Sequence, residues 1–211
     1  VRGLDERLLA LARQTPGFMP EEEGLALYEA GREAASLGPL LEIGTYVGKS
    51  TLYLGAAARE GGTVLFTLDH HRGSEEQQPG QPYFDPRFVD EWGRVDTLPA
   101  FRRTMALAGL EDTVVAIVGR SATVAAYWRT PLAMVFIDGS HTEESAQADY
   151  EGWAPHVMEG GLLAIHDVFP DPREGGQAPY HVYLRALASG AFREVLHRGS
   201  LRVLRRIRPG I

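Results

Sequence analysis

The residues best suited to chemistry stand where short apolar runs turn polar. Phe136-Ile137-Asp138-Gly139-Ser140-His141-Thr142-Glu143-Glu144 is one such passage, and Gly160-Gly161-Leu162-Leu163-Ala164-Ile165-His166-Asp167 is the other. A charge at the end of an apolar strand stays where water or a ligand can offset its desolvation. In open α/β sheets, ligands gather at those carboxyl ends. Asp138, His141, His166 and Asp167 are therefore the candidates for carboxylate and imidazole chemistry. Ser140 and Glu143 have the spacing of a capping box, which predicts a helix start there and puts His141 in its first turn, beside the mouth of a site. A hydrogen bond within that turn is the plainer role for the same histidine.

A second constellation lies upstream, in Glu42-Ile43-Gly44-Thr45-Tyr46-Val47-Gly48-Lys49-Ser50-Thr51. Paired glycines between a strand and a helix let a cofactor approach the backbone and meet helix N–H groups. Gly48-Lys49-Ser50 suggests a nucleoside triphosphate, but a phosphate loop needs four residues between its first glycine and the Gly-Lys pair. Gly44 and Gly48 enclose only three. A dinucleotide fingerprint needs bare backbone at its middle glycine, and Tyr46 stands there. Asp69, about 25 residues beyond Gly44, ends the next apolar run, where an acid can accept both ribose hydroxyls of a nucleoside.

The elements that must hold these groups follow from the hydrophobic pattern. Leu4 to Arg13 and Pro20 to Ser36 are amphipathic, the second opening on Pro and three glutamates that suit the positive end of a helix. Nearly uninterrupted apolar runs then recur at 40–43, 63–68, 114–118, 132–137 and 162–165, as strands covered on both faces should read. Helical stretches near 48–60, 97–108, 121–128, 142–157 and 180–189 follow them, predicting a doubly wound α/β domain with right-handed crossovers. Ala146, Tyr150, Trp153 and Val157 form the apolar face of the fourth of these. Strands at Phe192–His197 and Leu201–Ile207, joined by Arg198-Gly199-Ser200, close the sheet as a hairpin. His70 to Val95 breaks the rhythm: it is long, polar and rich in Pro and Gly, with Tyr83, Phe84, Phe88 and Trp92. Such a loop reads as a lid or as a tolerated surface insertion. Residues 1–211 are expected to form one domain, with N-terminal helices over 1–37 and the core over 38–211.

Composition bounds the rest. The chain has 211 residues, 44% of them hydrophobic, and no apolar run of the roughly 18 needed to span a bilayer. Val1-Arg2-Gly3-Leu4-Asp5-Glu6 lacks the basic-then-apolar pattern of a secretory signal, and a cytoplasmic location is the expectation. Cysteine is absent, so disulfides, thiolate zinc sites and cysteine nucleophiles are excluded. A net charge of −7 speaks against nucleic acid as the main partner. Lys49 is the only lysine.

The Glu-x-Gly-x-x-x-Gly loop, followed by Asp69, Ile-Asp-Gly-Ser-His at 137–141 and Gly-Gly-Leu-Leu-Ala-Ile-His-Asp at 160–167, resembles the class I S-adenosylmethionine-dependent methyltransferases. From Leu41 to about Val168 the chain is similar to a small O-methyltransferase family (the methyltransferase domain 24 type) that includes sugar and antibiotic-tailoring enzymes. The resemblance implies a Rossmann-like seven-stranded sheet of order 3-2-1-4-5-7-6 with strand 7 antiparallel. It implies S-adenosylmethionine at Glu42, Gly44, Tyr46, Gly48 and Ser50 of the loop, at Asp69, and beside Asp138. Gly119 and Ser121 fall where adenine contacts lie, although Ser121 also suits a plain helix cap. In relatives an aspartate after strand 4 and a residue pair after strand 5 bind a divalent cation. Carried over, the metal ligands are Asp138, His166 and Asp167. An imidazole there suits manganese, zinc or iron better than magnesium, and His166 without a metal would orient the substrate or Asp167. The position of the general-base lysine of catechol-type enzymes is His141, whose ordinary pKa near 6.5 suits the removal of a hydroxyl proton.

The function expected is O-methylation of a small-molecule hydroxyl on a sugar, phenol or natural product, with metal assistance and with Asp138 and His141 as catalytic residues. A non-catalytic S-adenosylmethionine-binding protein and a metal-independent methyltransferase remain open at this level. A metal-dependent hydrolase would have no use for the glycine loop paired with Asp69. Gly175-Gly176-Gln177-Ala178-Pro179-Tyr180-His181 is expected to form a second substrate wall, with His181 on a helix surface. Phe18 and Met19 are apolar contacts available to cover the cofactor, or to serve a homodimer.

Overall fold

A computed structural model describes residues 3–210; Val1, Arg2 and Ile211, and with them the ends of the expected domain and of the N-terminal stretch, lie outside the described residues. The sheet has seven strands: β1 (Leu40–Ile43), β2 (Leu65–Asp69), β3 (Val114–Val118), β4 (Leu132–Ile137), β5 (Val157–Ile165), β6 (Phe192–Arg198) and β7 (Leu201–Arg206). Their order is β3-β2-β1-β4-β5-β7-β6, with β7 antiparallel to both neighbours, as the resemblance implied. The helices are α1 (Glu6–Gln14), α2 (Glu21–Ala35), α3 (Lys49–Glu60), α4 (Leu98–Ala108), α5 (Ser121–Tyr127), α6 (Glu143–Trp153) and α7 (Ala178–Ala188).

Strand residues alternate between two cores because side chains on a strand point to opposite faces. Leu40, Met134, Phe136 and Leu162 join α1 to α4 on one face. Leu41, Val135, Ile137 and Leu163 join α5 to α7 on the other. Both faces of the central strands are thus covered, which explains their uninterrupted apolar runs; the expectation fails at β3, an edge strand whose Val115 and Val118 are exposed. Helix α2 lies close on α3: a Cβ at Gly24 would overlap the ring of the buried Tyr53. That approach brings Glu23, in the first turn of α2, against His166 just beyond β5, while Glu21 pairs with Arg13 and Glu22 stays exposed.

Two local expectations need correction. Val157 does not belong to the apolar face of α6; a single 3₁₀ turn at Ala154–His156 ends that helix, and Val157 opens β5 opposite Leu132. Pro155 lies in that turn and cannot continue an α-helix. The helix after β4 is capped by Thr142, whose hydroxyl accepts from the Ser145 N–H at 3.3 Å, and not by Ser140. Ser140 instead donates to Glu75 at 3.2 Å. His141 therefore sits in the connection ahead of α6, where its ring is free to turn toward β5.

The 70–95 segment is ordered by its own bonds. It contains 3₁₀ turns at Glu75–Gln77 and Pro86–Phe88, and Val89 bridges to Val95. Asp90 gathers Arg72, Arg94 and the Trp92 N–H. Among the described residues no helix is long and apolar enough to cross a membrane.

Candidate active site

The carboxyl ends of β1, β2, β4 and β5 open on a cleft of about 990 Å³, walled by the 70–95 segment and by residues 174–176. At one end of it the glycine loop turns from β1 into α3. Gly44 has a φ of 92° and a Cβ there would overlap the carbonyl oxygen of Asp138, so glycine is what lets the ends of β1 and β4 meet. Tyr46 also adopts positive φ, 52°. Asp69 holds that turn: its Oδ2 accepts the N–H groups of Thr45 and Tyr46 at 3.0 and 2.9 Å, and its Oδ1 accepts that of His71 at 2.8 Å. A carboxylate has about four acceptor directions, and the backbone uses three. Asp69 is thus the anchor of the loop as well as a residue of the cleft.

Glu42 differs more from expectation. It is fully buried behind the loop and does not line the cleft. The hydroxyls of Ser50, Thr51 and Thr67 donate to it, and burial pushes its carboxyl up to about 7 against those bonds. It supports the loop from below, because a carboxyl on a strand covered on both faces has only the adjacent hydroxyls to satisfy it. Gly48, in the left-handed region at φ 97°, packs against Phe101 and Met105 as the cap of α3 and is also behind the surface. Gly44, Tyr46, Ser50, Asp69, Gly119, Ser121 and Asp138 do line the cleft. Tyr46 stands in an aromatic group with Phe18 (centroids 5.8 Å apart) and Phe88 (5.6 Å), and Tyr83 of the 70–95 segment meets Phe18 at 5.2 Å. Phe18 and Met19 line the same region.

At the Gly119–Ser121 end, Ser121 donates to Asp149 at 2.5 Å and accepts from the Trp153 indole at 2.8 Å. Burial pushes Asp149 up to about 6. Asp149 escaped the sequence reading, yet a signal exists: it shares the helical stripe of Ala146, Tyr150 and Trp153, where an acid is out of place.

The reactive end gathers Asp138, His141 and Asp167, which offer ligand atoms all within 4.8 Å of one another. Asp167 reaches it from a left-handed backbone, φ 56°. His141 Nε2 meets Asp167 Oδ2 at 2.9 Å and its Nδ1 meets Glu76 Oε2 at 3.2 Å. The hydrogen bond with Asp167 raises His141 to about 9. Asp167 lies well below the usual carboxylate range: burial works against this, but bonds from His141 and His166 outweigh it. Burial pushes Asp138 up, opposed by His166.

His166 is not part of that trio. It is 2% exposed, with Nε2 on Glu23 Oε2 at 2.6 Å and Nδ1 on Asp138 Oδ1 at 3.1 Å. Both nitrogens are engaged, so the expected ligand set Asp138, His166 and Asp167 gives way in the geometry to Asp138, His141 and Asp167. Although burial opposes it, the surrounding carboxylates, Asp138 foremost, raise His166 to about 12. Glu23 and Glu76 complete the site and were not singled out in the sequence, where Glu23 read only as a helix-start charge. His181 bonds Glu143 at 2.9 Å on the outer surface, half exposed, as expected.

The family model described as a methyltransferase domain matches residues 41–168. The SAH-bound Podospora anserina methyltransferase PaMTH1 is similar in structure (TM-score 0.69, 16% identity, 97% of this chain and 89% of that one). So is the O-methyltransferase TomG from Streptomyces achromogenes, involved in tomaymycin synthesis and solved in complex with SAM (0.65, 16%, 96% and 90%). An O-methyltransferase from Bacillus cereus in complex with SAH gives 0.65 at 17% identity over 96% and 92%. At such identities the structures establish the shared fold, and the family match establishes the class. With its glycine loop, Asp69 and seven-stranded order, the chain belongs to the methyltransferase-domain family and is a class I S-adenosylmethionine-dependent methyltransferase.

Proposed function

We propose that this methyltransferase carries the sulfonium methyl of S-adenosylmethionine to a hydroxyl oxygen of a small molecule held at Asp138, His141 and Asp167. The observation that supports this reading is the cluster itself: two carboxylates and an imidazole within 4.8 Å, opening on the same cleft as the glycine loop. In the displacement an oxygen lone pair forms the new C–O bond as the C–S bond breaks, and the hydroxyl proton passes to the protein. S-adenosylhomocysteine is left. The chain contributes mainly alignment and exclusion of water. The aromatic group at Phe18, Tyr46, Tyr83 and Phe88 and the 70–95 segment, read as a lid, serve that purpose. Residues 1–211 are read as one catalytic unit, because α2 supplies Glu23 to the cluster that residues 38–211 otherwise build.

His141 is the proposed proton acceptor. Raised to about 9, it holds its proton at neutral pH, so turnover through it rises with pH toward that value. The donor set also fits a divalent cation. Two carboxylate oxygens and one imidazole nitrogen suit manganese, iron or zinc better than magnesium. Bound there, such an ion would lower the pKa of the acceptor hydroxyl. It would draw on the His141 ring, so the roles of ligand and base exclude each other at one nitrogen.

The test follows S-adenosylhomocysteine formation by mass spectrometry with a panel of phenols, catechols and sugars. The protein is stripped with chelator and then given Mg²⁺, Mn²⁺, Zn²⁺ or Fe²⁺. Turnover that survives chelation and rises to about pH 9, lost in His141→Ala, supports the base. Turnover restored only by metal and lost in Asp138→Ala supports the ligand role. Cofactor binding with no acceptor methylated under any condition leaves a non-catalytic binder and ends the O-methylation reading.

A further inference from the structure

The carboxylate nearest the buried histidine comes from outside the segment that matches the family. Glu23, in the first turn of α2, is 6% exposed and lies 143 positions from His166. Its Oε2 receives His166 Nε2 at 2.6 Å. Its Oε1 accepts the Ser200 N–H at 2.6 Å, and Oε2 also takes the Ser200 hydroxyl at 3.1 Å. The turn between β6 and β7 is shaped around it: Gly199 has φ 53°, and a Cβ there would overlap Glu23 Oε1. On the far side of the ring, His166 Nδ1 faces Asp138 Oδ1 at 3.1 Å and Asp167 Oδ2 at 3.4 Å. Two distant parts of the chain, α2 and the end of β4, therefore converge with the adjacent Asp167 on one imidazole.

We infer that Glu23 is a positioning residue of the reactive cluster, acting through His166 to hold Asp138 and Asp167 in place. A ring with a carboxylate at each nitrogen can satisfy both only by donating from both. Glu23 fixes a proton on Nε2, which leaves the second donor, Nδ1–H, aimed at the two aspartates. Charge-assisted hydrogen bonds of this kind are short and directional. A buried pair is also hard to relax when one partner is changed. The two hydrogen bonds from Ser200 keep the Glu23 carboxylate from turning away, so orientation passes from the β6–β7 turn through α2 to the cluster. Neither the glycine loop nor Asp69 is in this chain of contacts. The inference rests on the reading of Asp138 and Asp167 as groups of the reactive cluster.

The test compares Glu23→Gln, which keeps the shape and removes the charge, with Glu23→Asp, which keeps the charge and shortens the reach. In the full chain labelled with ¹⁵N-histidine, the ring signals of His166, assigned through His166→Gln, report protons on each nitrogen without metal or acceptor. The unmodified protein should show protons on both nitrogens. Glu23→Gln should lose the Nε2 proton, and Glu23→Asp should retain it. With the best acceptor from the panel, kcat in Glu23→Gln should fall roughly 10- to 100-fold, as for other groups that orient a reactive residue. The KM for S-adenosylmethionine and the affinity for S-adenosylhomocysteine should stay unchanged. A merely structural Glu23 would give the reverse: lower thermal stability, with kcat and the ring signals as in the unmodified protein, and that result overturns the inference. Should Glu23→Gln not fold, Ser200→Ala removes only the hydroxyl contact and should move the same ring signals by less; no movement overturns the inference as well. If the unmodified protein methylates no hydroxyl acceptor, the O-methylation reading fails, while the ring signals still decide whether Glu23 sets the state of His166.

Discussion

At the residue scale the site is a set of carboxylates kept apart by histidines. Asp138 and Asp167 would repel if left alone, and His141 and His166 each place a ring against them. The consequence is readable in stability as well as in rate. His141 titrates near 6.5 when exposed and near 9 here. A group whose folded value is raised stabilises the folded chain fully below the unfolded value, and that contribution is lost as pH rises through the folded one. In chelator-treated protein, the melting temperature of the unmodified chain should therefore exceed that of His141→Gln at about pH 6 and converge toward it by about pH 10. A difference that stays constant across that window contradicts the proton placement. Sequence reading found Asp138, His141 and Asp167 because polar residues after apolar strands are conspicuous. It did not show that His166 is buried while Asp167 faces the cleft, because the backbone turns at Asp167, φ 56°, and a sequence does not say which of two neighbouring side chains is covered.

At the element scale, α2 and α3 decide how far the N-terminal helices reach into the site. Gly24 faces the ring of Tyr53, and Gly31 lies against Leu54 and Ala57. Replacing a mid-helix glycine by alanine gains up to about 1 kcal/mol of helix propensity. Here the added methyl meets a fully buried aromatic ring, and overpacking costs about 1–3 kcal/mol. The overpacking term is the larger, so Gly24→Ala should destabilise by about 1 kcal/mol or more in chemical denaturation. It should also lower turnover, because α2 carries Glu23. A stabilised variant would mean that the helices separate without consequence. Helix and strand positions were legible to within a few residues, since both periods are local. The cap of α6 was not: Ser140 and Thr142 are both competent caps, and in the fold Thr142 takes the role while Ser140 donates to Glu75 of the 70–95 segment, 65 positions away.

At the scale of the whole molecule, the cleft exists only where four strand ends, residues 17–19 and the 70–95 segment meet. A cofactor that binds the folded chain alone stabilises it by mass action, by about 2.7 kcal/mol at 100 times its Kd. For a domain of this size about 1 kcal/mol corresponds to roughly 2–4 °C. Saturating S-adenosylhomocysteine should therefore raise the melting temperature by about 5–10 °C. In Asp69→Ala, where the loop loses two backbone anchors and His71 a third bond, the shift should shrink to near zero. An equal shift in that variant would move the cofactor away from Asp69.

The sequence by itself determined the α/β class, the positions of the central strands, the glycine turn and the acid that follows it, because each depends on residues within one or two elements. Tertiary structure alone decided that Glu42 is a buried support, that Asp69 spends three acceptor directions on backbone, and that His141, not His166, completes a trio of ligand atoms with the two aspartates. Those outcomes depend on which side of a residue is covered and by what. Glu23 shows the reason most directly: its partners are His166 and Ser200, and nothing local distinguishes it from the two glutamates that precede it.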